Sequence, residues 1–323
     1  MTQHRTDWTL IAMNLAQLAT ISPALAELVD AVLVAWPGHE GFLHRRFRGE
    51  TPERIVALDP VAVAIRAMCG ASLASFADGY RRMCGMINDE ELHFRRTGGY
   101  RLRRFAEVEA LIYADPEEMR PYLDGILLSQ VLWRNHADAI VLYHTVFLAG
   151  SRPGCRHLEI GPGHGLLLAL AAADPACGVI SGWDVSPTSL ARSAQALDCL
   201  GLTKPVALVA VDIGNPDARP DAGFDNIVLS EVLEHLERPD LALETIHDLL
   251  APGGRVFLNV PVNSPAPDHI YLFETPEAVV EMTAASGLDV TRVDLLPATG
   301  VTLDRARRIK ATISTVIIAT RPG

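Results

Sequence analysis

The 323-residue chain has few aromatic residues, few cysteines and fewer positive than negative charges. Its five cysteines form no Cys-x-x-Cys pair, so they predict neither a disulfide framework nor a zinc site and fit a reducing cytoplasm. A net charge of −11 disfavours a nucleic-acid backbone as partner. The sequence also lacks a signal-peptide pattern and an apolar run of about 18 residues. We therefore expect a cytoplasmic protein without a membrane partner.

The first 150 residues have a helical pattern with one interruption. From Trp8 to about Ile87, apolar residues recur every three or four positions, which predicts helices. In the stretch His93–Phe105 two short runs flank Thr97-Gly98-Gly99, which predicts a β-hairpin. Helices followed by such a ribbon resemble a winged helix. Asp115–Gly150 predicts one or two more helices, so residues 1–150 are expected to form a mainly α-helical domain.

Residues 151–323 alternate between short apolar runs and helical patterns. Five such runs follow Cys155 at intervals of about 20–30 residues, and two more strands are expected near the C-terminal end. Near-continuous apolar strands joined by helices indicate a parallel sheet covered on both faces. We predict an α/β fold with a doubly wound, seven-stranded, mostly parallel sheet of the Rossmann-like type, whose last two strands are closer to antiparallel spacing.

Three glycines lie between the first predicted strand and the first helix of this second part. Gly161, Gly163 and Gly165 alternate with Pro162 and His164. Open α/β sheets bind ligands at the carboxyl ends of their strands, so this loop is a predicted ligand site. The third glycine comes one position too early for a dinucleotide fingerprint, and the absence of Gly-Lys-Ser/Thr excludes a P-loop.

The pattern Glu159-x-Gly-x-Gly-x-Gly resembles motif I of the class I S-adenosylmethionine-dependent methyltransferases. Asp184 at the end of the second strand and Asp212 at the end of the third agree with that family in order and spacing. The segment Phe224–Pro261 resembles the family's fourth strand, following helix and fifth strand. The resemblance covers about Cys155–Thr320 and implies S-adenosylmethionine as the cofactor.

The resemblance also implies roles for individual residues. In the family, the acid at Asp184 bonds the ribose hydroxyls, the residue at Val185 packs on the adenine, and the group at Asp212 meets the adenine amino group. Either aspartate could instead cap the helix that follows it. The residues implied at the cofactor are Glu159, Gly161, Pro162, Gly163, His164, Gly165, Asp184, Val185, Ser186, Asp212, Ile213, Ser230 and Glu231, with Tyr122 and Gln130 added from the helix before the first strand.

Candidate catalytic residues follow the fourth and fifth strands. The sequence EVLEH, Glu231–His235, resembles the ubiquinone-type O-methyltransferases. It also resembles the metal-dependent small-RNA 2′-O-methyltransferases, in which these Glu, Glu and His positions and a further histidine bind a divalent ion. If the segment starts a helix, Glu231 shares a face with Glu234 or His235. His235, His269 and Glu234 are the candidate catalytic residues, because oxygen and protonated-amine acceptors must lose a proton. We assign no metal ion, and a metal site, a general base and a loop-ordering role remain open for them.

Together these features predict a methyltransferase that acts on oxygen or nitrogen of a small molecule, in specialised metabolite biosynthesis. The N-terminal part resembles the helical, winged-helix-like domains with which small-molecule O-methyltransferases dimerise and cover their acceptor pocket, so a homodimer is expected. Two alternatives remain: a metal-assisted nucleic-acid 2′-O-methyltransferase, and a catalytically silent binding protein with a methyltransferase fold.

Overall fold

The N-terminal part of the protein is helical. The structure is a computed structural model and describes residues 15–113, 116–214 and 223–323, so residues 8–14 of the expected helical stretch lie outside the described residues. The helices of this part are α1 (Leu15–Ile21), α2 (Pro23–Ala35), α3 (Glu40–Phe47), α4 (Pro52–Cys69), α5 (Leu73–Thr97), α6 (Phe105–Val108), α7 (Pro116–Leu132) and α8 (Arg134–Leu142).

The predicted β-hairpin is wrong, and with it the winged-helix interpretation. His93–Thr97 form the last turn and a half of α5, whose amphipathic pattern continues to that point. Gly98 ends the helix with φ 76° in the left-handed region, and its N–H donates to the Phe94 carbonyl at 2.8 Å. A Gly-Gly pair serves a helix C-terminus as well as a hairpin turn, because both need a positive φ. In the described part of the chain, no strand precedes Cys155.

The expected seven-stranded sheet is confirmed. Its strands are β1 (Cys155–Ile160), β2 (Cys177–Asp184), β3 (Val206–Ala210), β4 (Phe224–Ser230), β5 (Leu250–Val262), β6 (Asp289–Pro297) and β7 (Ile313–Thr320). Their order is β3-β2-β1-β4-β5-β7-β6, and β7 runs in the opposite direction to the other six strands. The helices between strands are α9 (Leu166–Ala173), α10 (Pro187–Cys199), α11 (Pro239–Leu249), α12 (Pro276–Ala285) and α13 (Leu303–Ile309). The direction in which strands are added reverses at β1, because β2 and β3 lie on one side of it and β4 and β5 on the other. Open α/β sheets bind ligands at such a point.

The N-terminal helices share a core with one face of the sheet. A continuous apolar cluster includes Leu28 of α2, Tyr80 of α5, Leu128 of α7 and Leu168 of α9. The opposite face of the sheet is covered by α11, α12 and α13, with Leu243 at the centre of a second cluster. The division at residue 150 stays a prediction.

One stretch of the N-terminal part is long and apolar. Residues Pro52–Thr97 contain an 18-residue window of mean hydropathy 1.6. By length and composition alone, this stretch is long and apolar enough to cross a membrane. Gly70, with φ 52°, divides this stretch into α4 and α5. In α5, Tyr80 and Met83 are fully buried in the shared core. Because core helices pass the same test, the finding is weak evidence for a membrane span.

Candidate active site

A cavity of about 470 Å³ lies at the carboxyl ends of β1, β2, β3 and β4. The loops after these strands form its floor and walls, and the loop after β5 closes one end with Asp268 and His269. Its roof comes from the helical part, with Tyr122, Ile126 and Gln130 of α7 facing the strand ends. The cavity therefore joins the two parts of the chain at the place where an open α/β sheet binds its ligand.

The structure brings nearly all of the predicted cofactor residues together. The cavity is lined by Glu159, Gly161, Pro162, Gly163, His164, Asp184, Val185, Ser186, Asp212, Ile213, Ser230, Glu231, Tyr122 and Gln130. Gly165 is the exception among them. A Cβ on Gly165 would lie 2.7 Å from the Cα of Ser193, so this glycine allows α9 and α10 to pack closely rather than a ligand to approach.

The glycine loop leaves β1 through a backbone that only glycine adopts easily. Gly161 has φ 68°, and its N–H donates to the Trp183 carbonyl at 2.8 Å. A Cβ on Gly161 would lie 2.7 Å from Cγ2 of Val232, in the loop after β4. A Cβ on Gly163 would meet only the Gly161 carbonyl, at 3.9 Å. The loop therefore packs tightly at its first glycine and leaves space at its second.

Glu159 places a buried carboxyl beneath this loop. The side chain is 3% exposed, and its Oε2 atom has no hydrogen-bond partner in the described structure. Burial, with a smaller contribution from the charge of Asp184, raises the pKa of Glu159 to about 8. A buried carboxyl without a partner is costly, so the site fits a ligand group that is positively charged or donates hydrogen bonds.

The two aspartates at strand ends have different local roles. Asp184 Oδ1 accepts a hydrogen bond from the N–H of Ser186 at 2.8 Å, and burial raises the pKa of Asp184. The cap of α10 is Ser186, whose hydroxyl accepts from the N–H of Ser189 at 3.3 Å, so the capping alternative for Asp184 is wrong. Asp212 is exposed and accepts from the N–H of Gly214 at 2.8 Å. Contact of either aspartate with a cofactor stays a prediction.

The segment after β4 does not start a helix, so the condition under which Glu231 would share a helix face with Glu234 or His235 is not met. Glu231 has φ 57°, and residues Leu233–His235 form a single 3₁₀ turn before α11 begins at Pro239. Asn259 on β5 fixes this conformation, because its carbonyl accepts from the N–H of Glu231 at 2.8 Å and its Nδ2 donates to Glu231 Oε1 at 3.0 Å. Burial raises the pKa of Glu231 to about 8.

His235, His269 and Glu234 meet at the end of the cavity near β4 and β5. His235 Nδ1 lies 2.9 Å from the Asp268 carbonyl, and His269 Nδ1 lies 2.6 Å from the Ser264 carbonyl. A carbonyl only accepts, so in the neutral rings both Nδ1 atoms carry the proton and each Nε2 keeps its lone pair. Both Nε2 atoms face Glu234 Oε1, at 3.6 and 3.8 Å. Glu234 itself is fully buried and does not line the cavity.

Asp268, which was not predicted from the sequence, connects the roof to this end of the cavity. The Tyr122 hydroxyl donates to Asp268 Oδ1 at 2.8 Å, and both side chains are buried. Burial raises the pKa of Asp268, but the imidazoles of His235 and His269 and the bond from Tyr122 outweigh it and leave that pKa below its usual value. The only signal in the sequence is the position of this aspartate directly before His269, in the loop after the fifth strand.

His136 of α8 is a second lining residue that was not among the predicted site residues. Its Nδ1 lies 2.9 Å from the Ser129 hydroxyl, which donates to the Ile126 carbonyl at 2.7 Å. Burial lowers the pKa of His136 to about 4, so a neutral imidazole faces the cavity at pH 7. In the sequence it is one of several polar and aromatic residues in an apolar helical segment before β1, and its spacing did not distinguish it from an ordinary amphipathic position.

Comparison with known proteins identifies the sheet domain. A family model described as a methyltransferase domain matches residues 158–256. The chain carries a methyltransferase domain. The match runs from β1 into β5 and includes the glycine loop, Asp184, Asp212 and Glu231–His235. With the strand order found here, residues 158–256 lie in a class I, S-adenosylmethionine-dependent methyltransferase domain.

The solved structures to which the chain is similar are distant in sequence. YcgJ from Bacillus subtilis is 16% identical, with 58% of this chain and 100% of that chain covered and a TM-score of 0.47. The N-methyltransferase NodS from Bradyrhizobium japonicum WM9, in complex with S-adenosyl-L-homocysteine, is 19% identical over 58% and 87% of the two chains, with a TM-score of 0.43. The magnesium protoporphyrin IX methyltransferase ChlM from Synechocystis PCC 6803 is 15% identical over 57% and 82%, with a TM-score of 0.44. No curated protein shows significant sequence similarity.

Proposed function

We propose that the protein transfers the methyl group of S-adenosylmethionine to an oxygen or nitrogen atom of a small molecule, in the cytoplasm and as a step of specialised metabolite biosynthesis. The observation that carries this proposal is the cavity between the methyltransferase domain and α7. Its volume of about 470 Å³ lies within the range of about 300–1,000 Å³ that small-molecule sites occupy. The hydrogen bond from Tyr122 to Asp268 closes it on the acceptor side.

The residues of the methyltransferase domain fit the cofactor. S-adenosylmethionine supplies a methyl group that is already activated on a sulfonium. In this proposal Glu159, whose Oε2 has no partner, faces the positive groups of the cofactor, and Asp184 accepts from the ribose hydroxyls. Val185 is 45% exposed although it is apolar and lines the cavity. Covering that side chain with the adenine would remove apolar surface from water.

The acceptor binds beyond the sulfur, between α7 and the loops after β4 and β5. His235, Asp268 and His269 line that end, and Ile126 contributes apolar surface from the roof. Methyl transfer is an in-line displacement, so these groups orient the acceptor, exclude water and manage its proton. Catalytic roles for His235, His269 and Glu234 belong to this proposal.

The charge of the cavity supports a small molecule over a nucleic acid. Among the described lining residues there are six carboxylates and one arginine, Arg238, which pairs with Asp240 at 2.6 Å. The basic cluster in the stretch 93–105 is largely paired as well. Arg95, Arg101 and Arg104 form ion pairs of 2.6–2.9 Å with Glu91, Glu90 and Glu107 respectively. The phosphate backbone of a nucleic acid binds to unpaired positive charge, and this surface has little of it.

A labelling experiment tests the proposal. The protein is incubated with S-adenosylmethionine carrying a labelled methyl group and with either a low-molecular-mass metabolite extract or total RNA. We expect label in the metabolite extract, and at a subsaturating concentration of the methyl donor much less label with the Asp184→Ala variant, which serves as the matched control. Label in RNA alone would contradict the small-molecule proposal. Absence of label in both pools, together with tight binding of S-adenosylhomocysteine, would support the catalytically silent alternative.

We also propose a homodimer formed through the N-terminal helices. Val34 of α2 is 84% exposed, and Val56 and Val63 of α4 are 59% and 51% exposed. Apolar side chains on this part of the surface are available for contact with a second copy.

A further inference from the structure

We propose that the methyl acceptor is a primary or secondary amine that enters the cavity as its ammonium ion, and that Asp268 and His136 recognise that ion. This inference rests on the proposed methyl transfer and narrows its acceptor atom from oxygen or nitrogen to nitrogen. Asp268 supplies a negative charge, and Nε2 of His136 supplies a hydrogen-bond acceptor. His136 lies in α8, outside the segment that the methyltransferase-domain model matches.

The ring of His136 is oriented so that a nitrogen lone pair is left for a ligand. The Ser129 hydroxyl has a single proton, which it donates to the Ile126 carbonyl at 2.7 Å. The Ser129 oxygen therefore accepts from Nδ1 of His136, 2.9 Å away, and the proton of the neutral ring is on Nδ1. Nε2 keeps its lone pair and has no hydrogen-bond partner among the described residues, although the residue is only 7% exposed. Because a buried polar atom normally has a partner, this nitrogen fits a ligand that donates a hydrogen bond.

The neighbours of His136 place it between the cofactor loop and the acceptor end. Burial is the main cause that lowers its pKa to about 4, and the nearby imidazoles of His164 and His269 add to this effect. His164 belongs to the glycine loop after β1, and His269 to the loop after β5. A ring that is neutral at pH 7 and lies between these two loops accepts a hydrogen bond without competing as a cation.

The other polar side chains at the acceptor end also offer few donors. His235 and His269 both use Nδ1 to donate to backbone carbonyls, so the Nε2 of each neutral ring carries no proton. The Tyr122 hydroxyl donates its only proton to Asp268. A carboxylate or a phosphate needs N–H or O–H donors, whereas these side chains present lone pairs. The acceptor end is therefore complementary to a group that carries several N–H donors.

The charge of the lining favours a positive ligand. Asp268 is 4% exposed and stays ionised, because its pKa lies below the usual value. Among the described lining residues there is no lysine, and the one arginine, Arg238, is exposed and pairs with Asp240. An ammonium ion brings a positive charge and up to three N–H donors, whereas a hydroxyl brings one donor and no charge. A buried carboxylate is stabilised by such a cation, which makes the ammonium ion the better match.

Transfer to this acceptor requires that the ammonium ion first lose one proton. The side chain of His235 is 20% exposed and that of His269 7%, so His235 is the group that takes the proton and passes it to solvent. The nitrogen lone pair of the neutral amine then forms a bond to the methyl carbon. The carbon–sulfur bond breaks, and its electron pair stays on the sulfur. The products are S-adenosylhomocysteine and a methylated ammonium ion, with one proton released to solvent.

Chemical blocking of amines tests the class of the acceptor. The metabolite extract is N-acetylated with an N-hydroxysuccinimide ester and then treated with hydroxylamine, which restores any acetylated hydroxyl. A second portion receives hydroxylamine alone. Both are incubated with the protein and S-adenosylmethionine carrying a labelled methyl group. We expect a labelled product that a cation exchanger retains, and at least 10-fold less label in the N-acetylated portion. Label that survives N-acetylation would overturn the amine acceptor and leave the methyltransferase proposal intact. Absence of label in both portions would contradict the proposed function, and this inference with it.

Two nearly isosteric variants test the residues. Asp268→Asn removes the charge and keeps an oxygen that accepts from Tyr122, and His136→Asn keeps a donor for Ser129 and removes the Nε2 lone pair. Each should incorporate at least 10-fold less label. Their affinity for S-adenosylhomocysteine, measured by calorimetry, should stay near that of the unaltered chain, which excludes misfolding as the cause.

Conservative and distant changes complete the test. Asp268→Glu keeps the negative charge and should retain more label than Asp268→Asn. Asp198→Asn makes the same chemical change at an exposed residue of α10 outside the cavity and should behave as the unaltered chain does. Unchanged labelling of the amine by Asp268→Asn or by His136→Asn would overturn the recognition proposed here.

Discussion

Proton release on cofactor binding is a direct test of the role of Glu159. Its carboxyl is 3% exposed, and burial raises its pKa to about 8. A group with a pKa of about 8 is roughly nine-tenths protonated at pH 7. The positive groups of the cofactor favour the ionised carboxylate, so binding at pH 7 should release about 0.9 proton. A proton bound to Glu159 competes with the cofactor. The affinity for the cofactor should therefore increase as the pH rises toward 8.

Calorimetry measures this release. The cofactor is titrated at pH 7 in buffers of different ionisation enthalpy, and the slope of the observed enthalpy gives the number of protons released. In the range of pH 5.5–7.5 the association constant should increase by up to about tenfold per pH unit. Glu159→Gln should bind without proton release and with little pH dependence. Glu281→Gln, an exposed glutamate of α12, makes the same chemical change outside the cavity and should behave as the unaltered chain.

Two results would refute this reasoning. One is a binding reaction that releases no proton at pH 7 in the unaltered chain. The other is an unchanged release in Glu159→Gln, which would assign the proton to another group of the cavity or to the cofactor itself.

Four other substitutions, three at or beside the cavity and one on the surface of α2, have expected outcomes. Asp184→Ala should weaken cofactor binding by about 1.5–3 kcal/mol, or roughly 10- to 150-fold in Kd by titration calorimetry, and unchanged affinity would reduce this aspartate to a turn-forming role. Tyr122→Phe removes a hydrogen bond to a buried carboxylate and should lower the free energy of unfolding by about 1.5–3 kcal/mol in urea titrations, whereas the control Tyr271→Phe should change it much less. Gly165→Val should destabilise the fold by at least about 1–3 kcal/mol, because its new side chain overlaps α10, and a variant of normal stability would contradict that packing role. Sedimentation at micromolar concentration should show a dimer that Val34→Glu dissociates, and a monomeric unaltered chain would refute the proposed interface.

The convergence of the predicted cofactor residues on one cavity could be predicted from the sequence because their signals are local. Most of these residues lie at the end of a strand or directly after it: Asp184 is the last residue of β2, and the glycine loop follows β1. Since parallel strands end at one edge of the sheet, order along the chain is enough to place these residues together. Gly165 shows the limit of that reasoning. Its place in the glycine pattern did not reveal that α10 packs against it.

The acceptor half could not be predicted in the same way, because tertiary contacts decide its geometry. Glu231 adopts φ 57° as Asn259 of β5 binds both its N–H and its carboxylate, and nothing near Glu231 in the sequence indicates this. Asp268 became recognisable only through its bond with Tyr122, 146 residues away. The hairpin prediction failed for a local reason, since Gly98 provides a positive φ that a helix end uses as readily as a turn.

These two halves should therefore respond differently to change. The cofactor residues are held largely by backbone geometry at strand ends, as in the bond from the Ser186 N–H to Asp184. The acceptor residues are held by side-chain contacts among three separate elements: α7 with Tyr122, the turn after β4 with His235, and the loop after β5 with Asp268. A substitution on α7 such as Ile126→Ala alters the roof without touching the strand ends. Under the proposed function, acceptor choice can then change while the site for S-adenosylmethionine is retained, because the proposal assigns the methyl donor and the methyl acceptor to different parts of the chain.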